Sequence, residues 1–112
     1  MEEKTWIDIG DASLFGSEEL AGVQVQGREI ALYRVGGCLY ATDNICTHGH
    51  ARLTDGWLED GVIECPLHGG RFEVATGKGM GAPIEHDLQI HAVRESGGRV
   101  EIALSGAPDD RG

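Results

Sequence analysis

The chain has 112 residues, enough for one domain with a modest core. Nineteen acidic against nine basic residues give a formal net charge of -10, a field that repels nucleic acid and anionic lipid. No apolar run approaches the roughly 18 residues needed to cross a bilayer, and MEEKTWIDIG lacks an apolar signal core, so a cytoplasmic protein with no membrane partner is expected.

Period-2 alternation and hairpin signals recur along the chain, and helical periodicity is hard to find. TWIDI (5–9) alternates around Trp6 and runs into a polar turn with Gly10, Asp11 and Ser13. GVQVQ (22–26) is a second strand, turning at Gly27-Arg28 into EIALYRV (29–35). Gly36-Gly37 fits a two-residue hairpin loop before CLYAT (38–42). A Gly-rich middle, about 43–83, holds a smaller hairpin set in LTDGWLEDGVIEC and GRFEV. QIHAVRE (89–95) and RVEIAL (99–104) flank Ser96-Gly97-Gly98, another hairpin, and the tail 105–112 is expected to fray. The expected architecture is all-β and antiparallel: one domain over 1–112, with a loop-built subdomain inserted between its sheet strands.

The chemistry-bearing residues concentrate in that middle. Cys46-x-His48 and, after sixteen intervening residues, Cys65-x-x-His68 each pair a thiol with an imidazole. An odd count of three cysteines argues against a disulfide framework and for metal ligation or catalysis. Gly49, Gly69 and Gly70 beside the pairs allow close backbone approach, and Pro66 stiffens the second loop. Two centres fit two cysteines and two histidines: a tetrahedral zinc, or a [2Fe–2S] cluster with the cysteines on one iron and the histidines on the other. Zinc fingers draw two cysteines from one turn and two histidines from one helix, whereas here each loop supplies one of each.

The stretch CTHGHARLTDGWLEDGVIECPLHGGRFEVATGK (46–78) resembles the Rieske signature C-x-H…C-x-x-H-G, and is similar to ferredoxins of bacterial aromatic-ring dioxygenase systems. The resemblance spans nearly the whole chain. It implies a Rieske fold, with an antiparallel β-sandwich base and a small cluster-binding subdomain, and one Rieske-type [2Fe–2S] cluster. It assigns Cys46 and Cys65 to the inner iron and His48 and His68 to the outer iron, and likens Gly81-Ala82-Pro83 to the family's third, cluster-screening loop.

In function it implies an electron carrier between an NAD(P)H-dependent flavin reductase and the terminal oxygenase of an aromatic-ring-hydroxylating dioxygenase. The alternative is a small Rieske subunit or electron donor of another oxidoreductase, such as a nitrite reductase relative. No nucleotide fingerprint, flavin motif or mononuclear iron triad is present, so the chain is expected to be no enzyme and to take no small-molecule substrate of its own.

Two thiolates leave the oxidised cluster neutral, which raises its potential above that of a four-cysteine cluster. High-potential Rieske proteins add a disulfide and a serine hydroxyl near the cluster. Leu67 and Gly70 stand at those two places here, which implies a potential near the low end of the roughly -150 to +300 mV range.

The remaining candidates read as ordinary. Cys38 is expected to be a small buried hydrophobe, His50 a solvated rim residue of the first loop, and His86 and His91 plain loop and strand histidines. Trp6, Tyr40, Trp57 and Phe72 are expected in the core, and Glu59-Asp60 and Asp109-Asp110 in solvated acidic turns.

Overall fold

The computed structural model describes residues 5–16, 18–47, 51–67, 69–81, 84 and 86–105. Among the described residues nine strands carry the fold: β1 (Ile7–Asp11), β2 (Leu20–Val25), β3 (Arg28–Val35), β4 (Cys38–Asp43), β5 (Trp57–Glu59), β6 (Val62–Glu64), β7 (Arg71–Glu73), β8 (Ile90–Ser96) and β9 (Arg99–Ala103). Short 3-10 turns follow β1 at Ala12–Phe15 and precede β5 at Leu53–Asp55, and the described residues form no α-helix.

Six strands make one antiparallel sheet in the order β1-β9-β8-β4-β3-β2, and three make a second, β5-β6-β7. This is the all-β architecture expected. The small sheet is an excursion: the chain leaves the large sheet after β4 and re-enters it at β8. There Ala41 pairs with His91 and Thr42 with Ile90, so the excursion starts and ends side by side.

β3 divides the interior because both its faces are buried. Ile30 and Leu32 pack with Phe15, Val25, Ala41 and Ile102, so the β3 and β9 parts of the sheet close on one another as the two leaves of a sandwich. Ala31 and Tyr33 point the other way and pack with Leu53, Ile63, Phe72, Val74 and Leu88 of the excursion. Covering the second face explains why the middle of β3, Ile30-Ala31-Leu32-Tyr33, reads as an unbroken apolar run instead of an alternation. It also couples the excursion to the large sheet: Phe72, fully buried, would cost about 3–5 kcal/mol as alanine.

Two turns sit one residue away from their expected places. The β2–β3 loop is Gln26-Gly27, because Arg28 pairs with Val25, and the β8–β9 loop is Gly97-Gly98 alone, because Ser96 pairs with Arg99.

Candidate metal centre

The two cysteine loops are built on the same plan. Leaving β4, Asn44 is buried and its side chain clasps Thr54, accepting from the Thr54 N–H at 3.0 Å and donating to Thr54 Oγ1 at 2.9 Å. Ile45 bridges Arg52, and the Cys46 N–H then donates to the Ala51 carbonyl at 2.9 Å. In the second loop β6 and β7 form a hairpin closed by the Glu64–Arg71 pair, and the Cys65 N–H donates to the Gly70 carbonyl at 2.7 Å. Each cysteine therefore sits at the neck of a six-residue loop, locked by its own amide to the carbonyl five positions on.

Both thiols are turned inward. Cys46 is 1% and Cys65 0% exposed, in one apolar cluster with Ala31, Tyr33, Leu53 and Phe72. Neither forms a disulfide, and the two side chains lie within hydrogen-bonding reach of each other. The Leu67 N–H points at Cys65 Sγ from 3.4 Å. Burial pushes the Cys65 thiol up to about 11, the Leu67 N–H pulls it back, and the neighbouring Cys46 adds to the rise. The bare Cys65 thiol thus holds its proton at neutral pH, and a bound cation must displace it.

Backbone crowding around the loops is tight. A Cβ on Gly56 would overlap the Glu64 carbonyl oxygen and come within 3.1 Å of Pro66 Cδ, so only glycine lets the chain pass beneath the second loop. Two buried, unoxidised thiols held adjacent, with an amide N–H aimed at one sulfur, suit the thiolate half of an iron–sulfur ligand set. Among the described residues no group of three or more His, Cys, Asp and Glu gathers into a metal site. His48, His50 and His68 lie outside the described residues, as do Ala82 and Pro83 of the third loop.

Other expectations fare differently. Cys38 is exposed, not buried: it follows Gly36-Gly37 at the corner of the β3–β4 hairpin, where nothing packs over it. Trp57 is 61% exposed, because residues alternate across β5 and Leu58 takes the inward place beside Ile63 and Phe72. Phe72 lies in the core, Tyr40 packs at its margin, and Trp6 is half-buried with the Arg94 guanidinium 4.0 Å from its ring centroid. His86 is an exposed loop residue, and Glu59 and Asp60 are exposed at the β5–β6 turn. Asp109 and Asp110 lie outside the described residues. His91 is on a strand as expected, yet buried in a polar network with Asp43 and Ser105 that the sequence did not signal. Asn44, Thr54 and Ile84 were also missed, since nothing local distinguishes them from ordinary loop residues.

Comparison with known proteins agrees with this geometry. The chain is 50% identical over 105 residues to the ferredoxin component of the naphthalene 1,2-dioxygenase system of Pseudomonas aeruginosa, covering 94% of this chain and 100% of that one. Its structure is similar to a ferredoxin of Sphingomonas yanoikuyae B1 (34% identity, TM-score 0.80, 92% of this chain and 100% of that one). It is equally similar to a chain in the complex of reduced oxygenase and oxidized ferredoxin in carbazole 1,9a-dioxygenase (38% identity, TM-score 0.80, 90% of this chain and 94% of that one). The Rieske [2Fe-2S] domain family matches residues 5–92, so the chain belongs to that family and takes one Rieske-type cluster.

Proposed function

We propose that this chain is the ferredoxin of an aromatic-ring-hydroxylating dioxygenase system, carrying single electrons in the cytoplasm from an NAD(P)H-dependent flavin reductase to the terminal oxygenase. The observation that carries this reading is the pair of buried, adjacent thiols, neither in a disulfide, at the necks of two matched loops. Similarity to ferredoxin components of such systems, and to a ferredoxin found in complex with its oxygenase, supports the choice of partners. In this reading the whole chain is a single domain, with residues about 43–83 as the cluster-binding subdomain and 105–112 as a tail.

Cys46 and Cys65 would hold the inner iron and His48 and His68 the outer one, with His50 a rim residue. The cluster, when bound, supplies a site that takes up and releases one electron. The chain's own residues do the rest. The apolar cluster around the thiols keeps water from them and lowers the local dielectric, so charge on the sulfurs is felt strongly. The Leu67 N–H offers its positive end to Cys65 Sγ. The Thr47 hydroxyl, next to Cys46, donates to the His86 carbonyl at 2.8 Å and so is not spent on sulfur. Gly70 brings no hydroxyl. With few such donors, the midpoint potential is expected below zero, toward the roughly -150 mV end of the Rieske range.

Reconstitution with candidate reductases and oxygenases, following NADH consumption coupled to hydroxylated product, tests the carrier role. Efficient transfer only to a nitrite reductase-type partner would move the chain to the second class. The reduced protein's EPR spectrum tests the ligands: His48→Ala and His68→Ala should abolish normal cluster assembly and His50→Ala should retain it. A redox titration well above zero would contradict the expected potential.

A further inference from the structure

Ile84, His86 and Asp87 fasten to both cysteine loops. Ile84 packs against the apolar cluster that contains Cys46 and Cys65. A Cβ on Gly70 would overlap Ile84 Cδ1 and come within 3.1 Å of its Cγ1, while a Cβ on Gly79 would overlap Ile84 Cγ2. Neither glycine has a positive φ, so both backbones would accept alanine, and it is Ile84 that occupies the space, with Asp87 Oδ1 in ordinary contact at 3.6 Å from the Gly79 position. Gly70 is the residue whose carbonyl receives the Cys65 N–H. Two residues after Ile84, the His86 carbonyl accepts from Oγ1 of Thr47, the residue next to Cys46. One residue further, Asp87 Oδ1 accepts from the Gly79 N–H at 2.8 Å. The short segment thus meets each ligand loop at a residue covalently or hydrogen-bonded to its cysteine.

We infer that Ile84, His86 and Asp87 together act as a tie bar between the two cysteine loops. Ile84 is its wedge, a positioning residue that holds the loops at a fixed separation and governs how firmly the cluster is retained. The inference rests on the proposal that these loops hold a [2Fe–2S] cluster. It concerns their fastening and not the ligands themselves.

The test is the rate at which the purified, reduced holoprotein loses its visible absorption to a ferrous-iron chelator, with EPR of the remaining cluster. Ile84→Ala should speed the loss by about tenfold or more, because truncating a wedged side chain leaves a cavity the loops can move into. Ile84→Val, which keeps the branched Cβ, should stay near wild type. Gly70→Ala should also speed the loss by displacing Ile84. The double variant Gly70→Ala/Ile84→Ala should lose its cluster more slowly than either single variant, because the new methyl enters the vacated slot. Thr47→Val should speed the loss while leaving the melting of the cluster-free chain unchanged, which a purely structural role would not produce. Should Gly70→Ala fail to fold, Ile84→Ala, Ile84→Val and Thr47→Val still decide. Wild-type rates in Ile84→Ala, or a double variant showing the product of the single effects, would overturn the tie bar. A wild type lacking the Rieske EPR signal would instead overturn the functional reading, and the tie bar with it.

Discussion

His91 shows how much one buried polar side chain can organise. Its Nδ1 accepts from the Ser105 N–H at 2.9 Å, so the ring carries its proton on Nε2, which meets Asp43 Oδ1 at 2.8 Å. Arg28 completes the group, 3.5 Å from the same Asp43 oxygen and donating to the Ser105 carbonyl at 3.0 Å. The network joins the start of β3, β8 and the chain just past β9 to Asp43 at the end of β4, three residues before Cys46. His91→Ala would leave the Ser105 N–H without its acceptor and Asp43 without its neutral donor. A loss of about 2–4 kcal/mol in urea unfolding is expected, with His91→Gln costing less. Nothing in QIHAVRE signals this role, since the partner Asp43 is 48 residues away. Cys38 is the opposite case: its type suggests burial, but its place at a hairpin corner overrides type.

Among elements, the two-residue hairpin loops follow one rule. Gln26-Gly27 (φ 52° and 80°), Gly36-Gly37 (57° and 83°), Asp60-Gly61 (53° and 77°) and Gly97-Gly98 (58° and 81°) each place two successive residues at positive φ. This is the turn whose twist matches that of the flanking strands. Glycine and aspartate make such turns legible: Gly36-Gly37 could be placed from sequence alone, and Gly97-Gly98 to within one residue. Gln26 hides the first, because glutamine carries no turn signal and the register with Arg28 decides its conformation. At Gly98 an added Cβ meets nothing within 4 Å, so Gly98→Ala would suffer backbone strain alone. A destabilisation of about 1–2 kcal/mol is expected by thermal or urea unfolding.

At the scale of the whole molecule, the acidic balance makes individual pairings matter. Asp8 on β1 takes two hydrogen bonds from Arg99 on β9, at 3.0 and 3.1 Å, fixing an edge strand to its neighbour. The Arg99 bond, helped by the Gly10 N–H, holds the Asp8 carboxyl below its ordinary 3.8. Because the folded value is lowered, this stabilisation is fully present above 3.8 and is lost as pH falls through the folded value. Asp8→Asn should therefore flatten the acid limb of stability against pH, measured as urea midpoints from about pH 6 to pH 3. The pairing of β4 with β8 has a larger consequence, since it returns the excursion to its origin and lets β3 face two cores at once.

By itself the sequence determined what short-range geometry controls: the strand alternation, the glycine-marked turns, and two cysteines each poised in a short loop beside a histidine. Few residues suffice for each, because turn conformation and pleat depend on near neighbours. Only the tertiary structure decided what depends on distant partners. It brought Cys46 and Cys65 into one buried contact, exposed Trp57 and Cys38, enclosed His91 with Asp43, and seated Ile84 between Gly70 and Gly79. These outcomes follow from how separate segments share volume, and no local pattern encodes which side chain fills a space left by a remote glycine.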